Sequence, residues 1–174
     1  EFSKFARMPE LRRKNEDLSS LVESAVSLQQ VAQPNVSINL SQPKLPIVTS
    51  IDATLINQAL TNILKNAGES IETRMQDSST SKHDGVIEVL LKNEPNIVVL
   101  NISDNGVGLP QDRSRLFEPY VTTRDKGTGL GLAIVKKIIE EHGGVLKLED
   151  SAPFENTGII GALISIELPK SKNL

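Results

Sequence analysis

The chain has 174 residues, 38% hydrophobic and 24% charged, with a net charge of −3. That balance suits one globular domain with a short appendage and excludes wholesale disorder. Four Phe, one Tyr and no Trp leave no base-stacking platform, and the slightly acidic balance argues against nucleic acid or direct membrane contact.

The absence of cysteine removes disulfides and thiolate metal sites. No apolar run approaches the roughly 18 residues that a membrane-spanning helix needs, and no signal peptide opens the chain. An opening at Glu1 rather than Met suggests a piece of a longer protein.

In chain order, Glu1–Met8 reads as the tail of a helix stopped by Pro9. Asp17 can cap a second helix with Leu18, Leu21, Val22, Ala25 and Val26 on one side, ending before Pro34. Val36, Ile38 and Leu40 alternate with polar residues as a half-buried strand does, and Ile47–Ile51 predicts another short strand. Asp52 is positioned to cap the longest helix, Ala53 to about Met75. A polar loop over Gln76–Asp84 leads to a hairpin, Val86–Lys92 and Ile97–Ser103. A glycine-rich stretch follows from Asp104 to Gly131, and a helix from about Leu130 to His142 stops at Gly143-Gly144. Val145–Glu149 and Ile160–Leu168 predict two closing strands. These elements make an α+β fold, a two-layer sandwich of about five mostly non-sequential strands with helices on one face.

The long helix carries two stripes. Ile56, Ala59, Leu60, Ile63, Leu64, Ala67 and Ile71 form an apolar face, whereas Gln58, Asn62, Asn66 and Glu69 align on another. Asn is a poor helix former, so two of them one turn apart are either an ordinary polar flank or a functional pair. In the second case Asn66 would offer an amide oxygen to a magnesium ion already neutralised by phosphates, since Mg²⁺ takes few protein ligands.

Asp104-Asn105-Gly106-Val107-Gly108 ends a predicted strand. It is either a plain turn or the mouth of a pocket in which Asp104 accepts from an adenine amine. Gly127-Thr128-Gly129-Leu130-Gly131 opens a helix, where unpaired amides and the helix dipole favour anions. The spacing is G-x-G-x-G after a polar segment, which fits neither a Rossmann turn nor a P-loop. Arg124 and Lys126 add charge nearby, and the residues between the glycine clusters, including Leu116-Phe117-Glu118-Pro119-Tyr120, suggest a lid.

Taken in order, Asn-x-x-x-Asn, Asp-Asn-Gly-Val-Gly, Phe-Glu-Pro-Tyr and Gly-Thr-Gly-Leu-Gly-Leu resemble the Bergerat-fold ATP site of sensor histidine kinases, over about residues 52–169. The opening Glu1–Pro9 is similar to the end of the dimerisation helix in nitrogen-regulation sensor kinases of the NtrY type. The resemblance implies a division into a dimerisation-helix remnant and linker (1–16), a catalytic ATP-binding domain (17–169) and a tail (170–174). It assigns Asn66 to Mg²⁺ and Asn62 to the phosphate side of the same site. Asp104 goes to the adenine amine, with Gly106 and Gly108 in the base pocket. Gly127, Gly129 and Gly131, with Lys126, Thr128 and Leu130 among them, go to the triphosphate. Ser165 is placed near adenine, and Gly158–Gly161 resemble a degenerate third glycine box.

No catalytic side chain is implied within the chain, because the phosphoacceptor histidine of such kinases lies upstream. His83 and His142 are read as structural. The implied ligands are ATP and Mg²⁺, and the implied partners are the parent's own dimerisation and phosphoacceptor domain and a cognate response regulator. The implied setting is the cytosolic side of a membrane-bound bacterial sensor. Many such kinases carry a cation three residues after the second Asn, but Glu69 stands there, so a phosphate contact does not carry over. The gyrase, Hsp90 and MutL branch uses a Glu base where this chain has Asn62, and an amide cannot take a proton from water near neutral pH. A nucleotide-binding docking module without catalysis is the alternative reading.

Overall fold

The computed structural model describes residues 10–77, 84–120, 129–155 and 157–170. The expected helix over Glu1–Met8 and the loop histidine His83 lie outside them. The elements run β1 (Lys14–Asp17), α1 (Leu18–Ala32), β2 (Val36–Ser41), β3 (Val48–Ile51), α2 (Ala53–Asp77), β4 (Gly85–Asn93), β5 (Ile97–Asp104), α3 (Gly131–Glu141), β6 (Val145–Asp150) and β7 (Ala162–Pro169).

Both expected aspartate caps form. Asp17 Oδ1 accepts from the Ser19 N–H at 3.0 Å. Asp52 Oδ1 accepts from the N–H groups of Thr54 and Leu55 at 3.1 and 3.2 Å. Each satisfies donors that the first turn of a helix leaves without intrahelical partners.

Five strands make a mixed sheet in the order β2-β4-β5-β7-β6, with β2 parallel to β4 and the other pairs antiparallel. The alternation of buried and less buried residues along β5 marks its two faces. Val98, Leu100, Ile102 and Asp104 point to the buried side. In register with them come Ile87, Val89 and Leu91 of β4, and Ile164, Ile166 and Leu168 of β7. The helices cover this face. The long helix α2 lies between α1 and α3 and packs over β4 and β5. Its whole apolar stripe is buried, with Ile63 and Ile71 fully enclosed. This is the two-layer arrangement with helices on one face that the sequence predicts.

The structure moves one expected boundary. Residues 14–17 form β1, which pairs antiparallel with β3, Lys14 opposite Ile51 and Asp17 opposite Val48. The segment expected to be linker is therefore part of the folded body from Lys14 onward. It is tied down at further points. The Arg12 N–H donates to Asp52 Oδ2 at 2.9 Å, and the Arg13 guanidinium donates to the Glu141 carbonyl at the end of α3.

His142 is fully buried and completes this joint. Its Nε2 accepts from the Asp52 N–H at 3.0 Å, and Nδ1 lies 2.7 Å from the Ile138 carbonyl. An acceptor role at Nε2 requires the tautomer with its proton on Nδ1, which then donates to Ile138. The imidazole thus ties the start of α2 to the end of α3, which is the structural role expected for it.

Burial raises the Asp52 carboxyl, but the N–H donors of Arg12, Leu55 and Thr54 outweigh it and hold the group below its ordinary value of 3.8. The fold therefore prefers the carboxylate. Its contribution is complete above the unfolded value and is lost as pH falls through the lower folded value. Asp52→Asn should accordingly show a stability deficit at neutral pH that narrows below about pH 4; urea unfolding over a pH series reads the gap. Truncating the enclosed Ile63 to Ala should cost about 2–5 kcal/mol, measured by the same method at pH 7.

Candidate nucleotide-binding site

Asp104 is the last residue of β5 and faces the helices with only 5% of its surface exposed. A carboxylate is costly to bury without donors. Here its Oδ1 accepts from the Gly106 N–H at 2.9 Å, which fixes its orientation. The next residue, Asn105, is fully buried and holds the turn to β4. Its side-chain oxygen accepts from the Val86 N–H at 2.9 Å, and its amide donates to the Asp84 carbonyl at 2.6 Å. Asn105 thus anchors the turn while the Gly106 N–H holds the Asp104 carboxylate.

Gly106 is required by contact rather than by conformation. A β-carbon there would lie 2.2 Å from Ser70 Oγ and 2.7 Å from the Ser70 backbone carbon on α2. Ser70 Oγ also accepts from the Val107 N–H at 3.1 Å. Gly108 follows at φ +77°, a left-handed conformation that favours glycine. From the other side Gly161 closes on Asp104, where a β-carbon would sit 1.9 Å from the Asp104 carbonyl oxygen. Gly161 is held by reciprocal bonds with Ser151, its N–H donating to Ser151 Oγ and its carbonyl accepting from the Ser151 N–H.

On α2, Asn62 and Asn66 are both half-buried. The first residue of α3 packs beside the second, since a β-carbon on Gly131 would lie 3.5 Å from Asn66 Nδ2 and 4.0 Å from Oδ1. The start of α3 is unlike those of α1 and α2. Its N-cap is Leu130, with no side-chain capping bond. The first-turn amides of an uncapped helix suit an anion. Asn66 and Ser70 are four residues apart, about 6 Å along the axis and on nearly the same line of the helix. The Asp104 turn and the Asn66–Gly131 contact therefore lie along one stripe of α2.

Among the described residues, no group of three or more His, Cys, Asp or Glu side chains could hold a metal alone. A cation beside Asn66 would have to arrive with oxygens of its own, as Mg²⁺ bound to phosphates does. The neutral amide fits that chemistry.

The described part of the expected lid, Leu109–Tyr120, contains no helix and is tied to the body. Arg113 pairs with Asp150 of β6 at 2.6 Å. The Phe117 ring lies under the Lys136 ammonium of α3, 4.9 Å from ring centre to nitrogen. The Tyr120 N–H donates to the Gly129 carbonyl at 3.0 Å. Tyr120 has φ +66° and Gly129 +67°. Arg124, Lys126, Gly127 and Thr128 lie outside the described residues.

Ser165 is misplaced by the sequence reading. On β7 it pairs with Asn101 of β5 and Lys147 of β6. Asn101 is three residues from Asp104, so the pleat turns the two to opposite faces. Ser165 therefore points away from the helices and the Asp104 carboxylate. Continuing the same register, in which Ser103 faces Leu163, puts Ala162 at the level of Asp104. Sequence reasoning also passed over Ser70 and the anchoring role of Asn105. Ser70 carries no local signal, since its partner is 37 residues away.

Residues 51–172 match the family model described as histidine kinase-, DNA gyrase B-, and HSP90-like ATPase. The chain belongs to this family. Among curated ATPase-family relatives, it is 46% identical over 173 residues to the nitrogen regulation protein NtrY of Azorhizobium caulinodans, covering 99% of this chain and 22% of that protein. It is 36% identical to a putative NtrY-like sensor histidine kinase of Rickettsia conorii, covering 96% of this chain and 26% of that one. The chain thus spans about a quarter or less of these relatives. Among solved structures, the mycobacterial sensor histidine kinase MprB aligns with a TM-score of 0.75 at 25% identity, covering 93% of this chain and all of that one. The catalytic domain of histidine kinase ThkA aligns at 0.72 and 28% identity, covering 91% and 96%. The described motif residues of this ATPase-family chain thus sit on a fold shared with histidine kinase catalytic domains.

Because Asp104 is buried and oriented, Asp104→Asn should keep the fold but reverse part of its hydrogen-bonding character. The expected result is a loss of about tenfold or more in affinity for adenine nucleotides with little change for nucleotides lacking the amine. Calorimetric titration with ATP and GTP checks it, and an equal loss for both would remove the assigned contact.

Proposed function

We propose that this chain is the ATP-binding catalytic portion of an NtrY-like sensor histidine kinase. In this reading it positions Mg-ATP for transfer of the γ-phosphoryl group to a histidine on the parent's separate dimerisation domain. The observation that carries it is the stripe on α2, which has a buried, oriented carboxylate turn at one end and an asparagine amide against an uncapped helix start at the other. The similarity to NtrY over nearly the whole chain supports the choice of kinase within the wider ATPase family.

Each residue then has a defined task. Asp104 accepts from the exocyclic amine of adenine, and Gly106 and Gly108 form the turn beside the base, with Gly161 packed against the Asp104 backbone. The α3 amides from Gly131 onward, with Gly129 and the glycine segment before it, hold the phosphate tail. Asn66 supplies an oxygen to Mg²⁺, with Asn62 beside it; when bound, that ion neutralises phosphate charge. Phosphoryl transfer asks mainly for positioning and charge neutralisation, and none of these groups needs to move a proton. Asn62 cannot activate water as a carboxylate would, which favours transfer to an external imidazole over hydrolysis. The further partner is a response regulator, reached through the full-length kinase, and the setting is cytoplasmic.

Incubation with γ-labelled ATP tests the proposal. The chain alone should bind ATP and label itself poorly, whereas adding the parent's dimerisation hairpin should yield labelled hairpin. Strong self-labelling of the isolated chain, or no transfer despite ATP binding, would overturn it.

A further inference from the structure

We infer that Ser70, on α2, is the positioning residue that sets the Asp104 carboxylate for the purine, acting through the Val107 N–H. This deepens the nucleotide reading above and rests on it. Ser70 is 6% exposed, and its hydroxyl oxygen accepts from the Val107 N–H at 3.1 Å. Val107 is the residue after Gly106, whose own N–H holds Asp104 Oδ1. The Ser70 hydroxyl therefore fixes the peptide next to the donor that orients the carboxylate. The fit is close, because even one methyl group on Gly106 would collide with Ser70.

The same turn is held from two other sides, by Asn105 on β4 and by Gly161 against the Asp104 carbonyl. Those contacts fix it to the sheet. Ser70 ties it to the helix, one turn beyond Asn66. Beside the core packing that places the helix, this hydroxyl is thus the hydrogen bond from α2 that sets the base end of the site relative to the phosphate end. A side chain without an oxygen at residue 70 takes the side-chain acceptor from the Val107 N–H and lets the turn shift relative to α2, while the Asn66–Gly131 contact stays in place.

Ser70→Ala distinguishes this role from general support. The expected outcome is ADP and ATP affinity each reduced about fivefold, with the ratio of ATP affinity with and without Mg²⁺ unchanged. Amide hydrogen exchange at Val107 should quicken, and the unfolding midpoint should move little. Asn66→Ala should do the reverse, losing the Mg²⁺ dependence of ATP binding while sparing Val107 protection. Wild-type-like ADP and ATP affinity in Ser70→Ala would overturn the inference alone. A loss confined to the Mg²⁺-dependent part would also overturn it, since the hydroxyl would then serve the phosphate end. Failure of the wild-type chain to bind adenine nucleotides at all would overturn the nucleotide reading, and this inference with it.

Discussion

The structure turns on the packing of α2 against β4 and β5. One face of this helix, from Ile56 to Ile71, supplies the centre of the core, and the adjoining stripe carries Asn62, Asn66 and Ser70. Burial of the apolar face fixes the rotation of the helix about its axis. That rotation decides which residues meet the Asp104 turn and which meet the start of α3. The site's geometry is therefore a consequence of core packing, without a separate scaffold. It also explains the position of Glu69, half-buried and paired loosely at 3.9 Å with Lys65 on the same helix. Exposed i,i+4 pairs of this kind contribute little, so the helix is placed by its apolar stripe rather than by its charges.

Close backbone approach recurs around the site. Gly106 meets Ser70, Gly161 meets the Asp104 carbonyl, and Gly131 meets the Asn66 amide. At Gly106 and Gly161 the glycine lets two elements approach nearer than side chains would permit, whereas Gly131 lies at ordinary van der Waals distance from Asn66. Among the described residues near the site, Gly108 and Gly129 have a positive φ. The described glycines near the site thus serve two ends: Gly106 and Gly161 bring elements together, and Gly108 and Gly129 turn the chain.

Much of this was legible in the sequence. The periods of 3.6 and 2 located the helices and the main strands to within a residue or two, because each buries one face against the same core. The order of the motif clusters pointed to the family to which the chain belongs. Facts about distant pairing were not legible. Lys14–Asp17 carries no strand signal because its partner, β3, is distant in the chain, with Lys14 opposite Ile51, and their sheet has two strands. Ser165 was misassigned because the face of a strand residue depends on register, and a shift of one residue reverses it. Gly106 looked like room for a ligand, whereas its immediate cause is Ser70.

The joint at Asp52 has a mechanical consequence. Arg12 and Arg13 precede β1 and grip, respectively, the cap of α2 and the last carbonyls of α3. His142 ties those two helix ends to each other. A pull or twist on the chain at residue 10 therefore loads a strand pair in shear and reaches both helices through short, stiff bonds. The other end of α3, at Gly131, packs beside Asn66 at the middle of α2. The stretch from Arg12 to Asp17 is thus a stiff joint centred on Asp52.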